Sequence, residues 1–226
     1  MVKALLFDVF GTVVDWRASL IQEFSAARPG VDWAGLVDAW RGAYAPSMDQ
    51  VRRGALPWTN LDALHRQSLE SLAPRFGVAD MDPDWMVRGW HRLRPWGDSV
   101  AGLTRLKQGF VISPLSNGNV ALLVNMAKHA GLPWDLVLCA ETFRHYKPDP
   151  ETYLGAAALL GLQPAEVMLC AAHNADLAAA RTNGLRTAFI ARPTEYGPHQ
   201  SRDFGPESDW DYAVGSIPEL ADQLGV

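Results

Sequence analysis

Five stretches of the chain are apolar almost without interruption: residues 3–8, 110–116, 136–140, 167–171 and 187–191. They are short, and they do not alternate with polar residues. That predicts strands buried on both faces, as in a parallel sheet covered by helices. Between the later runs the spacing turns helical. Leu122, Leu123, Met126 and Ala130 fall on one face of segment 120–130, and segments 152–160 and 177–183 are rich in Ala and Leu. Strand alternating with helix predicts a doubly wound α/β fold, a Rossmann-like parallel core of five to six strands. From Trp16 to about Trp96 no strand-like run occurs. Helical stretches at 19–27, 33–48, 60–72 and 83–93 are separated by breakers such as Arg28-Pro29-Gly30 and Leu56-Pro57-Trp58. The simplest organisation is a core made of residues 1–14 and 97–226, with a helical cap subdomain, 15–96, inserted after the first strand. Trp16, Trp33, Trp40, Trp58, Trp85, Trp90 and Trp96 lie in or beside this insert. They are expected to pack within a helical bundle, with one or two facing the sheet.

Composition narrows the picture only a little. A chain of 226 residues can hold one large domain or one domain with a smaller insert. The net charge of -5 is spread without long like-charge runs, which argues against nucleic acid as the partner and leaves a small anionic substrate open. No apolar run approaches the roughly 18 residues of a membrane helix, and no leader pattern opens the chain, so no membrane partner and a cytoplasmic location are expected. Cys139 and Cys170 sit inside apolar runs and are expected to be buried and reduced.

In an open parallel sheet, ligands bind beyond the carboxyl ends of the strands. The first run ends in Asp8, with Thr12 close behind. The second ends in Ser116-Asn117-Gly118-Asn119. Lys147 follows the third, and His173-Asn174-Ala175-Asp176 follows the fourth at a helix start. Each has a plain structural reading, since a terminal Asp forms turns, Ser-Asn-Gly-Asn caps helices, and a lysine can simply be exposed. Together they bring an acid, a hydroxyl-amide pair, an ammonium and a second acid to one edge, which predicts a catalytic site. Lys147 is one of only four lysines.

F-D-V-F-G-T, then S-N-G, then Y-K-P-D-P, then an Asp opening a helix resemble the four motifs of the haloacid dehalogenase (HAD) superfamily. The resemblance spans nearly the whole chain, including the helical insert, and it implies a HAD-like fold with Asp8 as nucleophile. Most of that superfamily transfers phosphoryl groups and carries a second Asp two residues after the nucleophile. Here that position is Phe10, whose ring neither donates nor accepts a proton. The fourth motif leaves Asp8 and Asp176 as the only obvious charged ligands for a hard dication. The sequence therefore resembles the type II 2-haloacid dehalogenase branch, which needs no metal and no other cofactor. Trp40-Arg41 and Tyr153, six residues after Lys147, match features of that branch.

The resemblance implies a two-step reaction. Asp8 displaces halide from a short 2-haloacid to give an aspartyl ester, and water then releases the 2-hydroxyacid. Haloacetates and 2-halopropionates are the expected substrates, fluoroacetate among them. Val9 and Phe10 would lie beside the substrate, and Arg41 and Asn117 would cradle the halide, with Trp58 as an aromatic wall. Ser116 and nearby main-chain N–H groups would hold the carboxylate. Lys147 would keep Asp8 ionised, and Asp176 would orient Lys147 and help activate water. Thr12 would bond near Asp8, and Tyr153 would bond Lys147. Where haloalkanoate members read Ser-Ser-Asn, this chain has Ala171, Ala172 and His173. His173 would then position or activate the water, its alternative being a helix cap. His145 and His199 read as loop residues, and segment 192–202 as a loop near the site that closes the cleft or meets a second subunit. A homodimer is compatible with the resemblance. The alternatives are a magnesium-dependent phosphatase and a non-catalytic binding protein on the same fold.

Overall fold

Nine α-helices besides a four-residue one surround two sheets in the computed structural model, which describes residues 1–226, His199 by its backbone alone. The chain begins with β1 (Ala4–Phe7) and β2 (Val14–Asp15). It then runs through α1 (Trp16–Ala27), α2 (Trp33–Arg52), α3 (Leu61–Leu72) and α4 (Pro83–Val87) to β3 (Arg94–Pro95). There follow α5 (Ser99–Leu106), β4 (Val111–Ser116), α6 (Val120–Ala130), β5 (Leu138–Cys139) and the four-residue α7 (Ala140–Phe143). The last part comprises α8 (Pro150–Leu159), β6 (Val167–Ala171), α9 (Asn174–Thr182), β7 (Arg186–Ile190), β8 (Tyr212–Val214) and α10 (Ile217–Leu224).

The main sheet has six strands in the order β5-β4-β1-β6-β7-β8, all parallel. Its β1 lies between β4 and β6 and is buried throughout, so the residue at its carboxyl end emerges in the middle of the ligand-binding edge. The sixth strand, only Tyr-Ala-Val, is too short to register as an apolar run. Cys139 and Cys170 are free and buried, on β5 and β6. With β4 and β1 between them they lie three strand spacings apart, roughly 14 Å, beyond disulfide reach.

Two departures from the sequence reading concern the helical segment. The chain leaves and re-enters the sheet through a two-residue antiparallel ladder, Val14↔Pro95 and Asp15↔Arg94, which is too short to show as a strand pattern. Segment 83–93 is not one helix: α4 ends at Val87 and tightens into a 3-10 turn, Arg88–Arg92. The helices start where short polar side chains satisfy their first free N–H groups. Asp15 accepts from Ala18 N at 3.0 Å, Asp32 from Gly35 N at 2.9 Å, and Asn60 from Ala63 N at 3.1 Å. Aromatic contacts then lock the helices together. Phe24 meets Trp33, Trp85 and Trp40 at centroid distances of 5.3, 5.4 and 6.5 Å. Trp90 stacks on Trp16 at 6.2 Å and stands edge-on to Phe10 at 5.7 Å. Each such pair adds about 0.5–1.5 kcal/mol beyond its buried area. One apolar cluster thus runs from Leu5 and Phe7 in the sheet through Phe10 into the helices. Among the described residues no helix is long and apolar enough to cross a membrane.

Candidate active site

Asp8 continues the pairing of β1, its N–H donating to Cys170 O at 3.0 Å, and the chain then turns sharply. The turn closes through Val13 N to Val9 O (2.9 Å) and Gly11 N to Val14 O (3.0 Å). Gly11 has φ +89°, and a Cβ there would stand 2.1 Å from the carboxylate of Glu195. Gly11→Ala combines a left-handed backbone penalty with displacement of a buried acid. It should cost more than about 2 kcal/mol, seen as a lowered melting temperature.

The turn holds Asp8 almost fully buried. Its Oδ1 accepts from Lys147 Nζ at 2.9 Å. Its Oδ2 accepts from Thr12 Oγ1 at 2.8 Å and lies 3.1 Å from His173 Nδ1. Thr12 Oγ1 also accepts from Ala172 N at 2.8 Å, so its proton must point to Asp8. A carboxylate offers about four lone-pair sites, and three are filled. The free one is on Oδ1. Burial alone would raise the pKa of Asp8, but Lys147, with help from His173, holds it well below the usual carboxylate range.

Lys147 Nζ also donates to Asp176 Oδ2, and Tyr153 Oη donates to Asp176 Oδ1 at 2.6 Å. Tyr153 therefore bonds Asp176 and not Lys147 itself. Burial opposes the charge on Lys147, yet Asp176 and Asp8 outweigh it and lift the ammonium above its ordinary range. Burial and the Asp176 carboxylate push Tyr153 far up, so it stays a neutral donor.

His173 stands at the start of α9, where its side chain makes no cap bond. Its Nε2 lies 2.9 Å from Glu195 Oε2 and 3.1 Å from Oε1, and Oε1 also accepts from Trp16 Nε1 at 2.9 Å. Burial disfavours a charged ring, but Glu195 and Asp8 on its two sides raise its pKa well above the ordinary value. Glu195 itself is fully buried. Its loop is anchored by Arg192, which donates to Thr12 O at 2.9 Å and pairs with Asp98 at 2.9 Å.

These groups face a cavity of about 220 Å³ lined by Asp8, Phe10, Asn117, Lys147, Tyr153, His173 and Asp176, with Arg41 and Tyr44 coming from α2. Arg41 packs its guanidinium 4.2 Å from the Tyr44 ring and 5.4 Å from that of Trp16. Its Nη1 is buried with no hydrogen-bond partner among the described residues. An unpaired buried cationic N–H is costly and invites an anion. Asn117 Oδ1 accepts from Lys147 N at 2.7 Å, which leaves its amide –NH2 as the donor for a ligand. The donor set does not suit a hard dication. Asp8 already takes three donors, and both oxygens of Asp176 are engaged.

Three residues expected here do not line the cavity. Trp58 packs on Tyr146 at 5.0 Å and lines a separate depression with Arg52 and His145. Ser116 is buried, with its Oγ accepting from Gly118 N at 3.1 Å, so it shapes the 116–119 loop. Val9 is fully buried beneath the turn. His145 is half exposed beside Asp149 and Glu151, an arrangement in which Asp149 already pairs with Arg52. The side chain of His199 lies outside the described residues. Glu195, Tyr44 and Trp16 join the site without any sequence-level assignment. For Glu195 the available signal was its place just beyond the carboxyl end of a strand, β7.

A sequence model of the haloacid dehalogenase-like hydrolases matches residues 2–184. An (S)-2-haloacid dehalogenase of Xanthobacter autotrophicus is 29% identical over 209 residues, covering 85% of this chain and 76% of the relative. A solved L-2-haloacid dehalogenase structure is 55% identical with a TM-score of 0.95, covering 99% of both chains. A solved defluorinating L-2-haloacid dehalogenase is 48% identical, also with a TM-score of 0.95, over 100% of this chain and 96% of its own.

Proposed function

Because this chain belongs to the haloacid dehalogenase-like hydrolases, we propose that it hydrolyses short 2-haloacids to 2-hydroxyacids through an ester on Asp8. The observation that carries this reading is the pairing of Asp8 with Phe10. A carboxylate with one open lone pair faces a small cavity, and the place where a proton donor would serve a poor leaving group is filled by a buried ring. Halide leaves without a proton; an alkoxide leaving a phosphate ester does not leave readily that way.

In the first step Asp8 Oδ1 attacks the carbon bearing the halogen. The carbon–oxygen bond forms as the carbon–halogen bond breaks, and its electron pair departs with the halide. Arg41, with its unpaired N–H, and the Asn117 amide receive that charge, while Lys147 helps balance the substrate carboxylate. In the second step water attacks Asp8 Cγ and gives one proton to Asp176. The bond from Cγ to Oδ1 breaks, and the departing oxygen takes that proton back as the 2-hydroxyacid leaves. Asp8 keeps the oxygen of the water and loses one proton to solvent, so the cycle produces halide, hydroxyacid and H⁺.

Fluoroacetate lies within this proposal, supported by the 48% identity to a defluorinating relative. The test is halide release from fluoro-, chloro- and bromoacetate and from both 2-chloropropionate enantiomers. Turnover should persist in EDTA. Strictly magnesium-dependent cleavage of phosphate esters, with no halide released, would overturn the reading.

A further inference from the structure

We propose that Glu195 is a positioning residue for the second half-reaction: it holds the His173 ring as an N–H donor aimed at Asp8 Oδ2. His173 and Thr12 then jointly cradle the charge that this oxygen acquires when water attacks the ester. The inference rests on the dehalogenase reading and goes beyond it.

Three observations carry it. Only Oδ1 of Asp8 has a free lone pair, so the ester forms there and Oδ2 becomes its carbonyl oxygen. Thr12 Oγ1 and His173 Nδ1 already stand 2.8 and 3.1 Å from Oδ2, the separations expected of donors to a developing oxyanion. Behind the ring, Glu195 is fully buried and pinned by Trp16, and it engages Nε2 with both carboxylate oxygens. This carboxylate also presses on Gly11, so the turn that carries the nucleophile is shaped around it. Once Asp8 is esterified its charge is gone, and among the described residues Glu195 becomes the only anion bonded to the ring. Without that anion on Nε2, nothing fixes a proton on Nδ1 at the moment the donor is needed.

The step balances. Water oxygen bonds to Cγ as the carbonyl electron pair moves onto Oδ2, and the water proton goes to Asp176. The pair returns as the bond to Oδ1 breaks, and His173 keeps both of its protons throughout.

The test is Glu195→Gln, which conserves size and removes the charge. A rapid burst of one halide per active site should survive, while steady turnover drops on the order of 10²-fold. The Asp8 ester should accumulate to a level visible in the intact mass. Turnover of the variant should also lose its plateau near neutral pH and decline from a lower pH than in the wild type, because burial then favours the neutral ring with no anion to oppose it. The ring then shares its cavity with the neutral ester, the cations Lys147 and Arg41, the phenols of Tyr44 and Tyr153, and the acid Asp176, which Lys147 and Tyr153 engage. Ring nitrogen NMR of the free wild-type enzyme at pH 8 should show both His173 nitrogens protonated. Trp16→Phe, which removes one hydrogen bond to Glu195, should move the same readouts in the same direction by less.

Burst and turnover falling in equal proportion would overturn the proposal, as would unchanged turnover without ester accumulation, or a neutral His173 in the wild type. A wild-type chain that releases no halide from any haloacid sinks the dehalogenase reading instead. The ring-nitrogen measurement then still reports on Glu195 alone.

Discussion

Asp8→Asn should abolish halide release, with a loss on the order of 10⁴-fold or more, because an amide is a poor nucleophile and the other cavity carboxylate, Asp176, is held by Lys147 and Tyr153. The chain should still fold. An amide retains an acceptor for Thr12, and Lys147 keeps its second partner, Asp176. The wild type supplies the complementary result. In one turnover with enzyme in excess in heavy-oxygen water, the label should enter the Asp8 carboxylate and be absent from the product. That follows from the free lone pair on Oδ1. The oxygen that attacks the substrate leaves with it, and the oxygen of the water replaces it. Label in the 2-hydroxyacid after a single turnover would mean that water displaces the halide directly, and Asp8 would then be a base and not a nucleophile.

The parts of the molecule legible in the sequence are those fixed by local pattern. Buried parallel strands are continuous apolar runs, and the polar residues at their carboxyl ends must face the ligand edge, so Asp8, Asn117, Lys147 and Asp176 could be named from position alone. Phe10 could be read because its chemistry is negative: a ring cannot move a proton. What escaped were features set by packing between distant segments. Strand β8 and the ladder of β2 with β3 are two or three residues long and carry no periodicity. Residue type alone suggests Trp58 for the cavity, yet its partner is Tyr146, and no local rule decides which of seven tryptophans meets the ligand. Glu195 looks like an ordinary loop acid until α1 brings Trp16 beneath it and the nucleophile turn leaves out a side chain at Gly11. His173 in place of an amide, and Glu195 behind it, form one charged unit contributed by two strand ends. Either residue alone reads as incidental.

Lys147→Met should damage both stability and chemistry, for a single reason. The ammonium is buried between Asp8 and Asp176, and both of those carboxylates are also buried or nearly so. Removing it leaves two like charges facing each other in a low-dielectric pocket, with only Thr12, His173 and Tyr153 to support them. Breaking a buried pair from one side costs about 3–5 kcal/mol. In a chain of 226 residues that lowers the melting temperature on the order of 10 °C. The chemical effect has a definite sign. Lys147 is the main influence holding the Asp8 pKa down against burial, so its loss raises that pKa. Asp8 attacks only when ionised, so the acid limb of the pH profile for the halide burst should move to higher pH. Lys147→Arg should rescue neither property. A planar fork cannot replace a compact ammonium that donates to two carboxylates from one nitrogen. A methionine variant with an unchanged melting curve and an unshifted acid limb would show that the charge on Asp8 is sustained from the His173 side alone.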